Sequence, residues 1–337
     1  MKKILIIISF WLACANSQEL AKIGEEFLNL GNWMVALDYF EQALEKNPRS
    51  APAWYGKGVA LCQLGKFEPG LSAMDEALRL DAKNYNYIYG KGVCYEWRGR
   101  DYWVQAERYY KRAMELVPEH PQLSHKLASL YQQQSRYEEA IQLYKKAIKL
   151  NPDYYISYNN LASCYLALNQ PKPAVELYQQ AIIHSAYSSQ FHFYHHLGIA
   201  LLADGKPELA KASFLIETAQ NPDFADAHLN LGNLYLLEKN YLRALEEYQE
   251  VISIDSQISE AYFNLGHLYL LLKQYELACK NFEKYIELEP DSGKGHYFLS
   301  LCYHQLGDKS KAFSEFNQSL KLGYHPEPIR QQLKSGK

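Results

Sequence analysis

No run of five Lys or Arg residues occurs anywhere in the chain, and the formal net charge is −3. The broad positive field that non-specific nucleic-acid binding relies on is therefore missing. A membrane-spanning stretch is missing as well, because the apolar run Ile4–Leu12, broken only by Ser9, is too short to cross a bilayer as a helix. None of the six cysteines stands in a Cys-x-x-Cys pair, which argues against a zinc or thiol-redox motif. The signatures G-x-S-x-G, G-x-x-x-x-G-K-S/T, H-E-x-x-H and G-x-G-x-x-G do not occur either. What is present is a 337-residue chain, 48% hydrophobic and 22% charged, with 29 tyrosines that call for a packing role.

The N-terminus has the layout of an export signal. Lys2 and Lys3 precede the apolar run, and the small residues Ala13-Cys14-Ala15-Asn16-Ser17 follow it. Ala13-Cys14-Ala15 fits ordinary cleavage. Leu12-Ala13-Cys14 resembles a bacterial lipobox, with Trp11 where that pattern usually carries Leu, and implies Cys14 as a lipid-bearing N-terminus. The lipidated form is the reading adopted, and it anchors the chain to a membrane face without a spanning helix. The other five cysteines (Cys62, Cys94, Cys164, Cys279 and Cys302) read as small buried hydrophobes, with a single disulfide formed after export as the alternative.

Small residues recur in two columns. The first is Gly24, Gly58, Gly92, Ala128, Ala162, Gly198, Gly232, Gly266 and Ser300, spaced 34 apart except for two steps of 36. The second is Ala36, Gly70, Ala106, Ala140, Ala174, Ala210, Ala244, Ala278 and Ala312, with the same spacing. Large residues follow three positions after the first column (Tyr235 after Gly232) and four after the second (Tyr248 after Ala244). Those steps put a notch and a knob on one helical face. Pro48, Pro118, Pro152, Pro222 and Pro290 share a column that ends each second helix. One two-residue excess falls in Arg98-Gly99-Arg100-Asp101, and the other is expected around Tyr187-Ser188-Ser189. An Ala column after the second knob (Ala43 to Ala181) gives way to Glu217, Val251, Tyr285 and Ser319, so the two halves are not expected to pack identically.

This pattern resembles the tetratricopeptide repeat, W-x-x-L-G-x-x-Y, then A-x-x-x-F, then P, over about 34 residues. Trp54 and Gly58, Leu231-Gly232 to Tyr235, and Leu265-Gly266 to Tyr269 carry the match. It implies an all-α, right-handed superhelical solenoid of about nine helix-turn-helix units. The expected division is a signal peptide at 1–16, repeats one to five at 17–188, repeats six to nine at 189–326, and a short polar tail or cap at 327–337.

The resemblance also implies where a partner sits. In this family the first helix of each pair lines a concave face through repeat positions 2, 5, 6, 9 and 13. Those positions here include Asn159, Asn160 and Ser163, then Asp226, Asn230 and Asn233, then Glu260, Phe263, Asn264 and His267. Asn160, Asn230 and Asn264 share position 6, an amide ladder similar to that in O-linked N-acetylglucosamine transferase. An amide both donates and accepts, so such a ladder can pair with an extended backbone of any sequence. His192, His195 and His196 interrupt it at positions 2, 5 and 6 of repeat six, where they should share one face as groove polarity, as a pH-sensitive patch or as metal ligands.

The expected function is a non-catalytic scaffold of the bacterial envelope that binds other proteins or extended peptides. It needs no cofactor, holds no metal, takes no nucleic acid, and meets the membrane only through its N-terminal lipid. Its expected location is periplasm-facing or on the outer membrane, with a secreted form as a variant. Two rivals stand beside it: a metal-dependent enzyme using His192, His195 and His196, and a cytoplasm-facing adaptor or co-chaperone with an uncleaved anchor.

Overall fold

A computed structural model describes residues 15–184 and 192–325. The signal segment up to Cys14, the joint at Tyr187–Ser189 and the tail at 327–337 lie outside the described residues. Among the described residues there are eighteen α-helices and no strand. None of these helices is long and apolar enough to cross a membrane. Two compact units divide the chain, Met1–Gln170 and Pro171–Lys337.

The first unit holds α1 (Ser17–Asn29), α2 (Trp33–Lys46), α3 (Ala51–Gln63), α4 (Phe67–Leu80), α5 (Tyr85–Arg98), α6 (Trp103–Leu116), α7 (Pro121–Gln133), α8 (Tyr137–Leu150) and α9 (Tyr155–Ala167). The second holds α10 (Pro171–His184), α11 (Phe193–Ala203), α12 (Pro207–Gln220), α13 (Ala225–Leu237), α14 (Tyr241–Ile254), α15 (Ser259–Leu271), α16 (Tyr275–Leu288), α17 (Gly293–Gln305) and α18 (Lys309–Lys321). Several helices begin where the sequence supplies a side-chain cap. Asn16 and Glu19 form a reciprocal capping box at α1, and the Ser50 and Ser292 hydroxyls accept the Ala53 and Gly295 amides at α3 and α17. The turns inside the repeats need a left-handed residue, supplied as Gly31 (φ 73°), Gly65 (76°), Gly205 (73°) and Gly307 (82°). In the third repeat the two-residue excess forms a short 3₁₀ turn, Arg100–Tyr102, after Gly99, as the spacing anticipates.

The sequence puts a notch and a knob on one helical face and leaves open what fills the notch. The side chain that fills it comes from the repeat's second helix. A Cβ on Gly24 would lie 2.8 Å from Phe40, on Gly58 2.6 Å from Met74, and on Gly92 2.7 Å from Tyr110. The second unit repeats this: Gly198 stands 2.4 Å from Phe214 by the same measure, Gly232 2.5 Å from Tyr248, and Gly266 2.8 Å from Phe282. All six second-helix side chains are fully buried. Each contributes about 2 kcal/mol by leaving water. The column three residues after the notch is mixed, with Phe27, Tyr95, Tyr165, Tyr235 and Tyr269 half-buried and Leu61, Tyr131 and Leu201 buried. Spacing along one helix cannot distinguish the two arrangements, because both place large beside small.

Buried tyrosine hydroxyls still need partners. Tyr110 donates to Glu96, Tyr144 to Gln132 Oε1 at 2.7 Å, and Tyr248 to Asn233 Oδ1 at 2.8 Å. In each case the acceptor belongs to the first helix of the same repeat.

The cysteine expectation requires correction for one pair. Cys62 on α3 and Cys94 on α5 form a disulfide that closes a 32-residue separation, whereas Cys164, Cys279 and Cys302 are buried free thiols. The two sulfurs meet because positions four and two residues after adjacent notches turn toward one another when the first helices of neighbouring repeats stack. The Ala column also diverges as its composition anticipates. Ala43, Ala77, Ala113 and Ala147 are fully buried in the first unit, while the second unit puts a buried carboxylate, Glu217, in that column.

Candidate functional site

The first helices of the repeats carry the concave-face residues the sequence nominates, except His192, which precedes α11. In the first unit, α9 holds Asn159 and Asn160 side by side, with Asn159 Nδ2 donating to Asn160 Oδ1 at 3.2 Å. The Asn159 Oδ1 atom is buried without a hydrogen-bond partner. Ser163 Oγ turns back to the Asn159 carbonyl at 3.0 Å. A neighbouring polar group was not anticipated: His125 Nδ1 sits 2.8 Å from the Ser157 hydroxyl, against the Tyr144 and Tyr154 rings. Burial pushes the His125 pKa down to about 4.

In the second unit, Asn230 Nδ2 donates to the Asp226 carbonyl of its own helix at 2.8 Å. Asn264 Nδ2 donates to Asn233 Oδ1 at 3.0 Å, the same oxygen that accepts the Tyr248 hydroxyl. Position 6 of one repeat is thus tied to position 9 of the repeat before it, and the amide ladder is a cross-link as well as a surface. Glu260 is exposed, and Asp226 is too. Phe263 packs edge-on against Phe282, Tyr285 and Phe298, with Lys294 Nζ 3.8 Å above its ring. Phe263 therefore belongs to an aromatic cluster, with one face covered by a cation. His267 lies edge-on to Phe298 at 5.9 Å, and burial with the Lys294 charge holds its pKa below the usual range.

The three histidines do not share a face. His192 has left-handed backbone (φ 46°) ahead of α11, so helical spacing does not apply between it and the other two. Its ring stacks on Phe224 at 3.7 Å, and its Nδ1 meets Glu217 Oε1 at 2.8 Å. His195 is buried at 5% exposure against Phe214 and Phe224, and so does not line a surface. His196 stacks on Tyr178 at 5.7 Å. Among the described residues no three His, Cys, Asp or Glu side chains are grouped to hold a metal ion.

Glu217 organises this corner. Besides His192 it accepts the Asn221 amide at 2.6 Å and the His195 backbone N–H at 3.1 Å. The latter is an unsatisfied first-turn donor of α11, so the carboxylate caps that helix from a different one. The signal was a carboxylate in a column that otherwise carries Ala, Val, Tyr or Ser.

Burial lowers the His195 pKa to about 4, aided by the His196 charge. Folded His195 stays neutral between pH 4 and the ordinary value of about 6.5, while the unfolded chain takes up a proton. The second unit is therefore expected to lose stability as pH falls through that window, by up to about 3 kcal/mol from this group. Urea melts at pH 7.5 and pH 4.5 check this, and a His195→Phe chain should give a flatter profile than its parent.

Hairpins of like helices, each filling its own notch with its own ring, define a helical repeat protein. Tetratricopeptide-repeat profiles match residues 22–85 and 196–259, 84–153 and 123–182, and 259–292 and 294–322. The chain belongs to the tetratricopeptide-repeat family. It is similar to the TPR repeat-containing protein MJ1428 of Methanocaldococcus jannaschii, 30% identical over 115 residues, which cover 34% of this chain and 20% of that protein. It is also similar to uncharacterized protein MJ0572 of the same organism, 36% identical over 69 residues, which cover 19% of this chain and 80% of that protein. The chain thus spans one fifth of the first relative's length. Among solved structures, Pseudomonas aeruginosa pilF shares the fold at 17% identity and a TM-score of 0.52, covering 63% of this chain and 94% of that one.

Proposed function

We propose that this chain is a non-catalytic scaffold of the bacterial cell envelope that holds partner peptides or domains on the first-helix face of its repeats. The observation that carries the reading is the linked amide row of the second unit. Asn233 and Asn264 bridge adjacent repeats, which fixes both amides in position before any partner arrives. The bridge uses Asn264 Nδ2 and Asn233 Oδ1, and so leaves Asn264 Oδ1 as an acceptor and Asn233 Nδ2 as a donor. Tetratricopeptide arrays bind other proteins through such extended faces. Export is supported by the N-terminal layout and by the Cys62–Cys94 disulfide, since such bonds persist in oxidising compartments.

The test is an affinity capture from envelope extract. It compares the parent chain with an Asn230→Ala, Asn264→Ala double variant whose helicity is unchanged. The expected result is a partner captured by the parent and lost, at least tenfold, from the variant. Equal capture would move the binding surface off the amide row. The intact mass of the same purified material reads the processing: an acylated Cys14 N-terminus supports the envelope reading, and retention of residues 1–13 would defeat it.

A further inference from the structure

Cys279 on α16 and Cys302 on α17 lie in one buried cluster with Ala278, Phe282 and Leu299. They are 6% and 0% exposed. Their thiols share a hydrogen bond, so the two sulfurs face one another across the boundary between repeats eight and nine. Helices α16 and α17 pack directly together, which holds the pair in register.

The chain already joins one such pair. Cys62 and Cys94 are bonded across the boundary between repeats two and three, at 2% and 0% exposure, so burial of this depth is compatible with a disulfide. Cys302 stands two residues after its notch, the repeat position that Cys94 holds. Cys164 holds that position too, but the places that supply Cys62 and Cys279 carry Gln132 and Ile141 in the repeat before it. Cys164 is therefore a buried thiol at the same position without a neighbouring cysteine from either place, and serves as an internal control.

We infer that Cys279 and Cys302 are a second thiol–disulfide site, oxidised to a bond that ties the second helix of repeat eight to the first helix of repeat nine. The co-reactant is a disulfide donor, R–S–S–R. Cys279 loses its proton to water, and its thiolate attacks one donor sulfur to form Cys279–S–S–R and release RS⁻. Cys302 then loses its proton, and its thiolate attacks the Cys279 sulfur and expels the second RS⁻. The two anions take up the two protons, so the protein pair gives up two electrons and the donor becomes two R–SH.

Burial pushes both thiols up, Cys279 to about 11, so thiolates are scarce while the α17–α18 hairpin is closed. Opening of that hairpin is the route to reaction. Helix α18 buries only Ala312 and Ser319 and leaves Phe313 67% exposed, which makes the hairpin a loosely held part of the second unit. The bond, once made, spans 23 residues and restricts the opened state. Oxidation thus locks a hairpin that reduction leaves free to open. The site stands apart from the amide row and works without a bound partner.

The experiment uses the purified full chain with its Cys62–Cys94 bond intact, and oxidised glutathione as the probe. The intact mass is expected to fall by two hydrogens. Digestion without reduction should give a peptide pair joining Cys279 to Cys302, while Cys164 stays a thiol that alkylates only after unfolding. Amide exchange in α17 and α18 should slow on the order of 100-fold on oxidation, with α1 to α8 unchanged. A Cys302→Ala chain controls for packing: whatever its starting stability, its exchange should not respond to oxidised glutathione. An unreacted pair would overturn the inference. So would a lasting glutathione adduct on either residue, a cross-link to Cys164, or a Cys279–Cys302 bond that leaves exchange in α17 and α18 unaltered.

Discussion

Gly232→Leu is expected to destabilise the second unit by about 4 kcal/mol, roughly 3 from overpacking and 1 from a lost hydrogen bond. A single Cβ at that position would already stand 2.5 Å from the Tyr248 ring, and a leucine places three further carbons in the same space. The ring must leave its pocket, and the hydroxyl then loses Asn233, which in turn loosens Asn264. In a repeat array each unit touches mainly its neighbours, so the damage should be local. Hydrogen-exchange protection is expected to fall in repeats six to eight while α2 to α8 keep theirs. Equal loss across all nine repeats would contradict a nearest-neighbour account of the fold.

Glu217→Ala should cost about 3 to 5 kcal/mol, the range for removing one member of a buried charged network. The carboxylate is 1% exposed and serves three donors: the His192 ring, the Asn221 amide and the His195 backbone N–H. Alanine is the residue that this column carries in five other repeats, so its size is no obstacle. The cost arises from the stranded donors and from an uncapped α11. Glu217→Gln keeps one acceptor oxygen but places an amide N–H donor beside groups that already donate, and should fall between the two. Urea titrations followed by near-ultraviolet circular dichroism give the comparison. A loss below about 1 kcal/mol for the alanine variant would mean that water replaces the carboxylate without difficulty.

The fold was legible because a helical hairpin that cannot bury its own face must repeat its small and large residues at a constant interval. Gly232 and Ala244 are therefore visible as members of columns, and Arg98–Asp101 is visible as an interruption. The pairing of notch and ring was not legible, because Tyr235 and Tyr248 stand in equally good register with Gly232 and only the crossing of the two helices selects Tyr248. The histidine cluster failed for a local reason. The argument for a shared face assumed helical backbone at His192, and its left-handed conformation breaks the periodicity on which that argument rests. Cys62 and Cys94 fall at different positions of their repeats, so no column announced the disulfide. The candidate face is intermediate: the register places Asn230, Asn233 and Asn264 together, but the bond between adjacent repeats depends on their stacking distance.

The acceptors for Tyr110, Tyr144 and Tyr248 differ chemically (a carboxylate, a side-chain amide at one position and a shorter amide at another), yet each lies within its own hairpin. A hairpin copied during gene duplication therefore carries the acceptor for this second-helix phenol with it into its new setting. Lineages of such chains can lengthen or shorten by whole hairpins while the inherited pair stays intact, and the face that each copy presents is left open to drift toward a new partner.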